Sequence, residues 1–78
     1  MNQTVTLELD LTGLTCPMPL LKTKQALNRL AAGEIVKVVA TDPASQRDFQ
    51  VFAEQSGNQL LASSLSADGR FVYVLQKK

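Results

Sequence analysis

The chain has no histidine and only one cysteine among its 78 residues. Without histidine there is no Cys–His pair of a thiol hydrolase, no Ser–His–Asp triad and none of the usual zinc ligand sets. A lone cysteine excludes an internal disulfide. It also excludes the usual thiol–disulfide oxidoreductase, which needs a second thiol to resolve the mixed disulfide. Aromatic residues make up only 5% of the chain and the net charge is +1, so neither stacking platforms nor a clustered basic patch for nucleic acid is expected. Apolar runs stop after a few residues, far short of the ~20 that span a bilayer. The N-terminal segment MNQTVTLELD shows no basic region followed by an apolar run, so no signal peptide and a cytoplasmic location are expected.

What is present suits one small globular domain over residues 1–78, with 45% hydrophobic and 19% charged residues. At this size folding buries only about 60% of the surface the unfolded chain exposes, enough for one modest core. Residues 4–11, TVTLELDL, alternate strictly and predict a strand, with Val5, Leu7, Leu9 and Leu11 facing inward. Between Pro19 and Ala31 the period becomes helical: Leu20, Ala26, Leu27, Leu30 and Ala31 share one face, and Gly33 is the expected stop. EIVKVVAT, residues 34–41, predicts a second strand. A second helix is expected to follow, capped by Asp42 or by Ser45 with Asp48, packing Phe49 and Phe52 and ending at Gly57. Residues 59–66 and 70–76 read as two strands joined across Asp68-Gly69.

The order β-α-β-α-β-β implies a right-handed crossover joining parallel strands, and with only two helices the cheapest arrangement is one sheet covered on one face. Thr4, Thr6, Glu8, Asp10 and Lys37 suit the other face, open to water or a partner.

The stretch GLTCPMPLLKTK, residues 13–24, places the only thiol just before that first helix. Proline costs no hydrogen bond in a first helical turn and stiffens the entry. Cys16, preceding Pro17, is expected outside the helix, and Met18, preceding Pro19, is expected to resist joining it. Whether the helix begins at Pro17 or Pro19 is left open. A lone cysteine is otherwise a small buried apolar residue. This one lies past the strand alternation and close to a helix start, where negative charge and hence thiolate are favoured. If the first two strands are parallel, both helices begin at one sheet edge, and Asp42 to Asp48 lie near Cys16. Arg47 is then a solvated helix charge, a partner of Asp48 or Glu54, or the cation for a thiolate or persulfide. Asp42 is expected as a cap, since a carboxylate beside the thiol raises its pKa.

LDLTGLTCPMPLLKTKQAL resembles the signature of the TusA-like (SirA-like) sulfur-carrier family, on Asp10, Gly13, Leu14, Cys16, Pro17 and Pro19. The later ATDPASQRDF resembles the family's second stretch, on Asp42, Pro43, Arg47 and Asp48. The resemblance covers nearly the whole chain and implies an α+β fold, a two-layer sandwich of a four-stranded mixed sheet with both helices on one face. It implies that Cys16 accepts sulfane sulfur as a persulfide and relays it, a carrier more than an independent multiple-turnover enzyme. It implies a cysteine desulfurase or another sulfur donor protein, a downstream acceptor protein on a route such as tRNA thiolation, and no cofactor or metal. Lys22 and Met18 are candidate docking residues, as are Lys24 and Arg29. Two other readings stay open: a non-catalytic interaction module using the sheet face and first helix, and direct RNA binding, which the sparse basic residues disfavour.

Overall fold

The computed structural model describes residues 4–78. Residues 1–3, the start of the segment read above as lacking a leader, lie outside the described residues. Four strands and two helices alternate as β1 (Leu7–Leu11), α1 (Met18–Asn28), β2 (Ile35–Ala40), α2 (Ser45–Ser56), β3 (Gln59–Leu65) and β4 (Phe71–Gln76). They form one sheet in the order β1-β2-β4-β3, with β1 parallel to β2 and the other neighbours antiparallel. The expected α+β sandwich, with a four-stranded mixed sheet, is the fold.

Register explains how alternation becomes a core. Leu7, Leu9 and Leu11 lie opposite Val36, Val38 and Ala40, which in turn lie opposite Leu75, Tyr73 and Phe71. Side chains of one parity share a sheet face, so these rows form one apolar surface. Ala26 and Leu27 of α1 and Phe49 of α2 cover it, with Leu20 and Phe52 at its margin. The Phe49 and Tyr73 rings stack with centroids 4.4 Å apart. Beside them the Ser45 and Tyr73 hydroxyls share a buried hydrogen bond of 2.7 Å.

The boundaries differ from expectation in ways that have physical causes. β1 starts at Leu7, and Val5 remains 36% exposed: β1 is an edge strand whose partner begins only at Ile35. Helix α1 begins between the two prolines, at Met18. Its first i→i−4 bond runs from the Leu21 N–H to the Pro17 carbonyl, with Pro17 as the N-cap. Met18 therefore joins the helix, with Pro19 in the first turn where its missing N–H costs nothing. The helix stops at Asn28, leaving Ala31 exposed; Gly33 belongs to the following turn, where its N–H donates to the Lys77 carbonyl. Gly57, by contrast, ends α2 in the left-handed conformation as expected (φ 82°). Neither expected cap of α2 forms in the predicted way. Ala44 is the N-cap residue, Ser45 turns its hydroxyl into the core, and Asp48 points elsewhere.

Candidate functional site

Because β1 and β2 are parallel, the loops that follow them emerge at the same sheet edge. The first loop, Thr12–Pro17, is held at three places. Asp10 accepts hydrogen bonds from the Thr12 N–H (3.1 Å) and hydroxyl (2.7 Å), which lower its pKa. Gly13, at φ +82°, donates its N–H to the Thr41 hydroxyl at 2.8 Å. A side chain at that left-handed position would be strained. The Cys16 N–H donates to Asp42 Oδ2 at 2.6 Å. Leu14 packs half-buried against the core, and the turn closes with the Met18 N–H on the Thr15 carbonyl. The Cys16–Pro17 peptide is cis.

The result is an exposed, free thiol at the rim. Its Sγ donates to Asp48 Oδ2 across 3.2 Å. Asp42 thus holds the cysteine's backbone and Asp48 its side chain, the first from the β2–α2 connection and the second from the opening turn of α2. The Asp48 hydrogen bond raises the Cys16 pKa, aided by partial loss of hydration and by the charges of Asp48 and then Asp42.

This direction corrects the expected thiolate-favouring helix start. The prolines that stiffen the entry also strip it of donors. Within the first four helical residues Pro19 has no N–H, Met18 is bonded to Thr15, and Leu21 to Pro17, leaving Leu20. A helix start depleted of amides cannot offset two carboxylates. Arg47, the candidate counter-charge, is exposed and lines the adjoining groove, and it is absent from the charges acting on the thiol. Asp42 does not cap α2: one oxygen accepts the N–H of Ala44, the N-cap residue, at 3.3 Å, while Oδ2 pins Cys16.

Asp48 is the residue the sequence reading passed over in this role. Helical periodicity carried a signal for it. Ser45, Asp48, Phe49 and Phe52 recur at spacings of three and four, so Asp48 shares the inward face with the core residues. Arg47, one position earlier, leaves that face.

A groove of about 540 Å³ runs between the helices, lined by Leu20, Lys24, Arg47, Val51, Phe52 and Asp48, the thiol's own hydrogen-bond partner. The Lys24 ammonium sits 5.5 Å from the centre of the Phe52 ring. Met18 (39% exposed) and Leu21 (42%) add uncovered apolar surface on α1. Lys22 and Arg29 line a separate hollow against β1. Among the described residues no group of three or more Cys, Asp or Glu is placed to hold a metal ion. No helix among them is long and apolar enough to cross a membrane.

Residues 7–77 match the family model described as Sulfurtransferase TusA. The chain is 44% identical over 70 residues to a sulfur carrier protein TusA of Allochromatium vinosum, covering 90% of this chain and 91% of that one. It is 42% identical over 77 residues to a sulfur carrier protein TusA of Pseudomonas syringae, covering 99% and 90%. The crystal structure of a SirA-like protein from Desulfitobacterium hafniense superposes with a TM-score of 0.82 at 28% identity, covering 91% of this chain and 96% of that one.

Proposed function

From the premise that this chain belongs to the TusA sulfurtransferase family, we propose that it is a sulfur carrier whose Cys16 is loaded as a persulfide and unloaded onto an acceptor protein. The single observation that carries the reading is an exposed lone thiol fixed at a rigid rim beside an uncovered groove. In loading, the Cys16 sulfur attacks the outer sulfur of a donor persulfide, and the donor leaves as a thiolate. In unloading, an acceptor thiolate attacks the outer sulfur on Cys16, which departs as thiolate and regains its proton. One accessible sulfur suffices for both steps, and no second thiol of this chain takes part.

The donor is a protein such as a cysteine desulfurase, and the acceptor another protein on a route such as tRNA thiolation. Transfer depends on those partners, so the chain acts as a carrier more than as a self-sufficient enzyme. Met18 and Leu21 supply exposed apolar surface on α1, while Lys24 and Arg47 supply charge along the groove. Lys22 contributes from the other side of α1. Asp10, Gly13, Leu14, Pro17 and Pro19 serve by shaping the loop. A persistent free thiol suits a reducing cytoplasm.

The test is intact-mass analysis after incubation with a desulfurase and cysteine. The protein gains one sulfur atom, reversed by reductant, and Cys16→Ser gains none. A Cys16→Ser protein that still takes up sulfur, or a native protein that never does, overturns the proposal.

A further inference from the structure

The contact between Cys16 and Asp48 asks for an account of its own. The two residues are 32 positions apart and meet side chain to side chain at 3.2 Å. Asp48 stands in the first turn of α2, beside Arg47, yet among the described residues it forms no ion pair with that neighbour. Its carboxylate is spent on the thiol. Asp42, six residues earlier, independently fixes the cysteine's N–H at 2.6 Å. Two acids on one segment therefore hold one cysteine by its backbone and by its sulfur.

We propose that Asp48 is a positioning residue for sulfur relay: its carboxylate holds the Cys16 thiol proton, keeps the unloaded carrier in the thiol form, and releases it when a partner places a cation against Asp48. This inference rests on the carrier reading of Cys16. A thiol is a weak nucleophile and resists oxidation, because the thiolate is the reactive species. The free carrier is thus protected despite its exposed sulfur. When a partner cation neutralises Asp48, the thiol proton passes to solvent. The Cys16 thiolate then forms a bond to the outer sulfur of a donor persulfide, R–S–SH, and the donor's S–S bond breaks. R–S⁻ departs and Cys16 carries –S–SH, with no net change in oxidation. The charges facing the thiol are Asp48 of α2 and Asp42 of the β2–α2 connection. Arg47 and Lys24 line the neighbouring groove, and the Thr12–Pro17 loop contributes no ionisable group besides Cys16.

The experiment is the pH dependence of Cys16 alkylation by iodoacetamide in the free protein. Asp48→Asn keeps the shape and removes the charge. Its profile moves to lower pH. For each pH unit by which the midpoint falls, alkylation at neutral pH rises about three- to fourfold. That is the roughly tenfold gain in thiolate, tempered by the lower nucleophilicity of a more acidic thiol. Asp48→Glu, which retains a carboxylate, stays close to the native profile. Superimposable profiles for the native protein and Asp48→Asn overturn the proposal. So does an equal displacement from Arg47→Ala, which leaves the hydrogen bond intact. Should Asp48→Asn fail to fold, ultraviolet titration of the native thiolate decides: a midpoint at or below that of free cysteine overturns the assignment. None of these readouts needs sulfur transfer. Failure here is therefore distinct from failure of Cys16 to take up sulfur in the mass experiment.

Discussion

The helical side and the sheet side of this molecule treat their charges differently. Of eight cationic side chains, Lys37 pairs with Glu8 at 3.7 Å and Arg70 with Asp68 at 3.4 Å, both on the sheet and its β3–β4 turn. Among the described residues, Lys22, Lys24, Arg29, Arg47, Lys77 and Lys78 have no carboxylate within ion-pair distance, and the first four of these stand on or next to the helices. Of the acids on or beside the helices, Glu54 of α2 forms no ion pair among the described residues, and the other three are engaged elsewhere. Asp42 and Asp48 turn to Cys16, and Glu34 accepts the Ala31 N–H. One face thus pairs its cations, and the helical side leaves cations without an ion-pair partner. Uncommitted charge is what a partner surface can complement, and such complementarity chiefly speeds encounter and sets specificity.

The sharpest way to break this contrast is charge reversal on each side. Lys24→Glu combined with Arg47→Glu is expected to weaken binding of the sulfur donor by on the order of a hundredfold, or about 3 kcal/mol. The loss shrinks as salt rises. Reversing Lys37 and Arg70 together is expected to change donor affinity less than about twofold, since those charges lie on the other face. Isothermal titration of both double variants against one donor decides it. Equal losses from the two faces would erase the distinction.

Much of this was legible in the residues, for identifiable reasons. The alternation of Leu7, Leu9 and Leu11 and the β-branched run of β2 name their own core face, and the element order constrains the sheet to its mixed topology. The Gly13–Pro19 stretch marks where the thiol must stand. Less legible was the use of polar side chains that have two competing uses. Ser45 and Asp48 carry the spacing of a helix cap, but tertiary neighbours claim both: Tyr73 takes the Ser45 hydroxyl and Cys16 takes the Asp48 carboxylate. The direction in which the thiol's pKa moves departs from expectation for a related reason. Proline's preference for a helix start is plain in the sequence, but the N–H it lacks must be subtracted from the donors available there.

A smaller effect separates the core beneath the helices from the open sheet surface. Tyr73→Phe removes one of two hydroxyls that satisfy each other and leaves Ser45, itself buried, without its partner. A buried orphaned hydroxyl costs about 1–3 kcal/mol, which for a domain of this size lowers Tm by about 4–8 °C per kcal/mol. Glu8→Gln, which breaks the exposed pair with Lys37, is expected to cost less than about 1 kcal/mol. Thermal melts of the two variants side by side measure the difference. The ranking fails if the sheet-side variant is the less stable of the two.

The smallest expected effect concerns alkaline pH, and its sign follows from the site. Cys16 has a raised pKa in the folded protein, with the Asp48 hydrogen bond as the leading cause. Between the unfolded and folded pKa values the native state therefore binds more protons than the unfolded chain. Stability then falls as pH rises, because the slope follows the proton difference between unfolded and native states. Below the unfolded thiol pKa the contribution is fully present; it is lost as pH passes through the folded value. Cys16→Ser does not titrate in this range, so its stability should fall less steeply between about pH 8 and 11. Tyr73, whose phenol is also pushed up by burial, is common to both proteins and cancels in the comparison. Urea melts of the two proteins across that range test the sign directly. A native protein that gains stability relative to Cys16→Ser on going alkaline would mean the thiolate is favoured at the rim, and that the two carboxylates do not govern it.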